Sequence, residues 1–225
     1  MAHKNTKAWL GLCSLVAVLG LLLFGPAGSL FYWQAWVWLI LFSLSTGAIT
    51  RDLMKRDPAL LARRMRAGPS AEKETRQQVI QALASVAFLA IFLVSAFDHR
   101  FGWSEVPLAA IVVGDILLVS GLFIVFLVFR ANTFAAATIE VANAQRVIAT
   151  GPYAVVRHPM YSGALLMLLG APPALESWWG FLAVVLLAAV IIWRLRDEEA
   201  VLARRLPGYA AYRRNVRWRL VPGIF

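Results

Sequence analysis

Apolar residues run along this chain in long blocks, and polar residues gather between them. The blocks cover about residues 9–24, 30–50, 79–97, 106–129, 160–171 and 178–193. A helix that crosses a membrane needs about 20 mainly apolar residues. The pattern therefore predicts an all-α, polytopic membrane bundle of about six transmembrane helices. The fifth block is short, so its helix takes in Val155 and Val156 or ends short of the far interface. The first block follows Lys4 and Lys7, as a signal peptide would, but no small-residue cleavage site follows it. It is read as a retained helix. Gly25-Pro26-Ala27-Gly28 predicts a tight turn, and the aromatic cluster Phe31, Tyr32, Trp33, Trp36 and Trp38 suits the headgroup level.

The polar stretches between the blocks are not alike. Residues 51–78 carry eight Lys/Arg and four Asp/Glu. Residues 98–105 form a short expected loop, 130–158 a mixed segment, and 194–225 a tail with eight Arg and three acids. Placing the N-terminus inside puts 21 of the 22 Lys/Arg on one side and leaves only Arg100 on the other. Cytoplasmic loops gather basic residues, so both termini are expected in the cytoplasm and the protein in the inner (cytoplasmic) membrane. Two units are expected: 1–105, transmembrane hairpins joined by the basic loop 51–78, and 106–225, the part that carries the motifs. The helix of the last block is expected to continue into the tail as an amphipathic stretch, because Leu195, Leu202 and Leu206 recur on one side.

Composition agrees with a membrane location. Sixty per cent of the 225 residues are hydrophobic and 15% are charged, against roughly 45–50% and about 25% in soluble domains. A net charge of +10 would otherwise suggest nucleic acid, but topology already accounts for the basic excess. No nucleic-acid partner is expected. The single Cys13 excludes internal disulfides and a cysteine-based zinc site, and no metal is expected.

Three motifs carry candidate chemistry. Gly151-Pro152-Tyr153-Ala154-Val155-Val156-Arg157-His158-Pro159-Met160-Tyr161-Ser162-Gly163 stands just before the fifth block. Gly-Pro breaks the incoming chain, and Pro159 suits a first helical turn. Arg157 and His158 thus sit beside a helix N-terminus, where an anion is favoured. Each alone fits an interfacial marker; the pair with two tyrosines and two glycines points to a ligand. Next comes Arg194-Leu195-Arg196-Asp197-Glu198-Glu199, where the sixth block leaves the membrane, with Arg194 and Glu198 on one helix face. The third is Gly208-Tyr209-Ala210-Ala211-Tyr212-Arg213 and then Arg217-Trp218-Arg219-Leu220-Val221-Pro222-Gly223, which fits an interfacial anchor as well as a ligand site. Asp115 is the only acid placed centrally in a block. Such a charge is costly, and a bond to a neighbouring helix, a substrate contact or a protonated carboxyl would each answer it.

In that order, from about Asn132 to Gly223, the three motifs resemble the membrane methyltransferases related to isoprenylcysteine carboxyl methyltransferase, a group that includes phospholipid N-methyltransferases. The resemblance implies an S-adenosylmethionine pocket between the last helices, facing the cytoplasm. No strand with a Gly-rich fingerprint is present to suggest a Rossmann domain. It implies that His158, with Tyr153 and Arg157, holds the amino-acid end of the cofactor or shapes its pocket, and that Tyr161 and Gly163 line that pocket. Glu198 and Glu199 match the acidic pair tied to the cofactor, and Arg194 the arginine near the reacting group. Tyr212 and Arg213 stand where they would close the site.

A carboxylate acceptor needs a cation such as Arg194 to hold it; an amine acceptor must lose a proton, which suits Glu198. The sequence contains both, so Arg194 and Glu198 are the catalytic candidates and the acceptor stays open. A lipid-like acceptor is expected to enter from the bilayer. Two other readings remain: a membrane reductase of the sterol-reductase type using NADPH, and a non-enzymatic membrane protein.

Overall fold

The computed structural model describes residues 2–139 and 145–225. The Lys4 side chain and residues 140–144, counted above with the basic side and the 130–158 segment, lie outside the described residues. Eight α-helices and no strand occur among the described residues: α1 (Ala2–Ala27), α2 (Trp33–Arg56), α3 (Pro58–Arg64), α4 (Thr75–Phe101), α5 (Leu108–Ala131), α6 (Pro159–Ala174), α7 (Gly180–Arg205) and α8 (Tyr209–Asn215).

Each apolar block becomes one long helix, but several ends move. Asp98, His99 and Arg100, expected in a loop, form the last turn of α4, which stops at Gly102 with φ +62°. Gly25 and Pro26 remain within α1, and the turn falls instead at Gly28 with φ +66°. A proline in the last turn forgoes one N–H bond, but almost no helix follows it that a kink would disturb. Pro172 and Pro173 likewise lie inside the end of α6. Asp57 ends α2 and caps α3: its side chain accepts a hydrogen bond from Leu60 N at 2.8 Å, and Pro58 takes the first turn.

Among the described residues, four helices are long and apolar enough to cross a membrane: Asn5–Ala27, Trp33–Arg56, Thr75–Phe101 and Leu108–Ala131. The expected fifth and sixth spans are shorter. α6 has 16 residues, or about 24 Å of helix, and α7 becomes charged from Arg194 onward. Large apolar side chains such as Leu21, Leu44, Val86, Ile116 and Leu186 are exposed around the bundle. So much apolar surface belongs in lipid, not in water, and the protein is a multi-pass membrane protein.

One apolar core joins the six long helices. It takes Leu19 and Leu23 from α1, Trp38 and Phe42 from α2, Ile91 and Phe92 from α4, Leu118 and Leu122 from α5, Leu168 from α6 and Leu187 from α7. α5 and α6 run antiparallel in very close contact. A methyl group at Gly121 would fall 2.5 Å from Gly163 O, and one at Gly114 would fall 2.6 Å from Gly170 O. Lipid tails are as apolar as leucine, so helices in a membrane gain by such close backbone packing. The two glycine pairs lock α6 against α5 along its length, Gly163 near the start of α6 meeting Gly121 in mid-α5 and Gly170 near its end meeting Gly114 in the first half of α5.

The opposite end of the bundle holds a separate polar knot. Gln34 Nε2 donates to Glu176 Oε2 at 2.5 Å, and Ser177 Oγ donates to the buried Asp98 Oδ2 at 2.6 Å. This ties the α6–α7 turn to α2 and α4. Asp115 lies within α5, and its Oδ1 is buried without a hydrogen-bond partner among the described residues. The expected bond to a neighbouring helix is therefore not formed by that oxygen.

Candidate active site

The segment before α6 is built from its glycine and prolines. Gly151 takes φ +59°, which opens a 3-10 turn over Gly151–Ala154, and Pro159 occupies the first turn of α6. Between them Arg157 and His158 are held from outside. Arg157 N donates to Trp218 O at 2.9 Å and His158 N to Arg219 O at 3.0 Å. Ser162 Oγ adds a bond to Leu220 O at 2.7 Å. The backbone of the third motif therefore clamps the first motif in place.

Glu199 sits at the centre of a buried charge cluster. Its Oε1 lies 3.2 Å from Arg157 Nε and 3.3 Å from His158 Nε2, and its Oε2 lies 3.1 Å from Arg219 Nε. Burial alone would raise its pKa. The hydrogen bonds from His158 and Arg219 and the charges of His158 and Arg157 outweigh that and hold it at about 2.

Glu198, the next residue, faces elsewhere, because neighbours on a helix point about 100° apart. Its Oε2 accepts from Tyr161 Oη at 2.7 Å. The same hydroxyl accepts from Arg194 Nε at 3.1 Å. Arg194 is otherwise taken up: Nη1 donates to Gln77 Oε1 at 3.1 Å, and Nη2 to Glu72 Oε1 at 2.7 Å and Ala137 O at 2.9 Å. Four of its five N–H groups are thus spoken for within the protein.

These residues meet at a cavity of about 740 Å³. Its polar wall carries Arg64, Tyr153, Arg157, His158, Tyr161, Arg194 and Glu198. From there it continues between Phe88 and Leu89 of α4, Leu122 and Val125 of α5, Met167 and Leu168 of α6 and Leu187 of α7. Burial pushes the Tyr153 phenol up to about 12, so it stays protonated. It accepts from Asn132 Nδ2 at 2.9 Å, and Tyr212 Oη donates to Tyr153 O at 2.7 Å.

Of the residues singled out in the sequence, Tyr153, Arg157, His158, Tyr161, Arg194 and Glu198 lie on this wall. Gly163 and Glu199 do not. Gly163 packs against Gly121, where a side chain has no room, and Glu199 is enclosed by its three basic partners. Tyr212 lies on the wall, whereas Arg213 is exposed. Sequence reasoning missed Arg64, Glu72 and Gln77. All three come from the basic 51–78 loop region, where nothing but spacing to Asp57-Pro58 distinguishes them from solvated charges.

The residues from the start of α5 to just past α7 are also where a known family is found. Residues 109–207 match the phospholipid methyltransferase family, part of the group of membrane methyltransferases that also holds the isoprenylcysteine carboxyl methyltransferases. The match covers less than half of the chain and marks what this stretch is similar to. No curated protein matches the chain.

Proposed function

We propose that the protein moves a methyl group from S-adenosylmethionine to an amine on a lipid-like acceptor embedded in the membrane. One observation carries this reading. A single cavity joins a polar wall bearing Glu198, Tyr161 and Tyr153 to an apolar arm between the membrane-spanning helices. Its volume lies within the roughly 300–1,000 Å³ of small-molecule pockets, and the hydroxyls, cations and carboxylate on its wall suit a zwitterionic, partly aromatic cofactor.

When bound, S-adenosylmethionine supplies a methyl group already activated by its sulfonium. The protein must orient donor and acceptor and exclude water. Tyr153, Arg157 and His158 would hold the cofactor, with Arg157 and His158 fixed in place by Glu199. Glu199 is thus a positioning residue, not a ligand contact. The Glu198 carboxylate, oriented by Tyr161, takes the proton that an amine acceptor must lose. Arg194 is too fully engaged to hold a carboxylate acceptor, and this favours the amine. The acceptor tail lies along the apolar arm.

The basic side of the sequence coincides with the polar end of the cavity, so the site faces the cytoplasm of a multi-pass inner-membrane protein. Calorimetry on detergent-purified protein tests the cofactor. S-adenosylhomocysteine binds saturably, and His158→Ala weakens it. Binding of NADPH in its place would transfer the protein to the reductase reading.

A further inference from the structure

Five basic residues line the cavity: Arg64, Arg146, Arg157, His158 and Arg194. Arg157 and His158 face Glu199, Arg194 faces Glu72, and Arg146 is exposed. Arg64 differs from all of these. Among the described residues no carboxylate pairs with it. Its Nη1 donates to Ala136 O at 3.0 Å, and its guanidinium lies over the Phe129 ring, 5.1 Å from the centroid. One donor is thus fixed and one face covered, and the residue lines the cavity. Burial also lowers its pKa from the usual arginine value, as expected of a partly buried cation with no carboxylate partner among the described residues.

A poorly hydrated cation that lacks a partner is costly unless something arrives to pair with it. A guanidinium with free, planar donors recognises carboxylates and phosphates. We infer that Arg64 is the oxyanion-binding residue of the cavity, pairing with a carboxylate or phosphate of a bound ligand. The inference rests on the cavity being the methyl-transfer site. Two ligands could bring that oxyanion: the methionine carboxylate of the cofactor, or a phosphate next to the acceptor amine. Arg64 lies on α3, outside the stretch that matches the family, so the first half of the chain supplies part of the site.

The test uses full-length protein in detergent, wild type and Arg64→Gln. Calorimetry measures S-adenosylhomocysteine and 5′-methylthioadenosine, which lacks the amino-acid end. Labelled methyl transfer is followed with phosphatidylethanolamine in mixed micelles. If Arg64 pairs with the cofactor carboxylate, Arg64→Gln weakens S-adenosylhomocysteine about tenfold or more and leaves methylthioadenosine unchanged. If it pairs with an acceptor phosphate, both affinities stay, and the KM for phosphatidylethanolamine rises by about tenfold with little change in kcat. Unchanged affinities with an unchanged KM overturn the inference and leave the methyltransferase reading standing. A wild-type protein that binds no S-adenosylhomocysteine overturns both.

Should Arg64→Gln fail to fold, wild-type protein answers with phenylglyoxal, mapped by mass spectrometry. Labelling of Arg64 falls when S-adenosylhomocysteine or glycerophosphoethanolamine is added. Labelling indifferent to both overturns the inference.

Discussion

Arg194 Nη2 lies 2.7 Å from Glu72 Oε1, across 122 positions of sequence. Both side chains are buried, at 8% and 4% exposure. The pair ties the loop before α4 to the cavity end of α7, and breaking it should be expensive. Glu72→Ala leaves a buried guanidinium without its counter-charge, a change that typically costs about 3–5 kcal/mol. The detergent-solubilised variant should melt well below wild type. Replacing both residues by methionine should cost less than the sum of the two single changes. A Glu72→Ala protein that melts like wild type would show that the pair does not form.

The α5–α6 contact admits no side chain. Gly121→Ala would place a methyl 2.5 Å from backbone oxygen of α6, and overpacking of this kind costs about 1–3 kcal/mol. Gly11, with nothing within 4 Å of an added methyl, is the control. Thermal melts should separate Gly121→Ala from Gly11→Ala clearly, and equal melts would rule out the close approach.

The Glu199 cluster gives a signed pH dependence. Its carboxyl titrates at about 2 in the folded protein, against 4.5 for a free side chain. A depressed value means that the stabilisation is complete above about pH 4.5 and is lost as pH falls toward 2. The expected contribution is on the order of 2–3 kcal/mol. Melting midpoints measured from pH 6 down to pH 3 should drop in wild type more steeply than in Glu199→Gln. Parallel curves would count against the cluster.

Tyr161 connects Arg194 to Glu198 through one hydroxyl. Tyr161→Phe keeps the ring and removes that link. Methyl transfer should fall by about tenfold or more if Glu198 acts as the base, while S-adenosylhomocysteine affinity changes little. Equal turnover in Tyr161→Phe and wild type would remove the hydroxyl from the mechanism.

How far the sequence reveals this arrangement depends on the residue. The six long helices are legible because apolar blocks of that length have few alternatives. Their ends are less so: Asp98, His99 and Arg100 look like a loop, yet Ser177 supplies Asp98 with a buried partner that lets the helix continue. The Arg157-His158-Pro159 turn is legible from its prolines. Glu198 and Glu199 look equivalent, and only the helical rotation between adjacent positions sends one to the cavity and the other to the arginines. Gly163 belongs to a spacing of seven residues shared by Gly114 and Gly121 on one helix and by Gly163 and Gly170 on the other; that period is the sequence signal for packing. Arg64, Glu72 and Gln77 carry no such signal, because their meaning comes from distant partners such as Phe129 and Arg194.

The central claim is methyl transfer to a lipid amine. Purified protein, labelled S-adenosylmethionine and a membrane lipid extract, with mass analysis of the product, test it most directly. Label is expected in a lipid that gains methyl groups on nitrogen, with loss of transfer in Glu198→Gln. Label in a methyl ester would contradict the amine assignment, and no label in any lipid would contradict the claim as a whole.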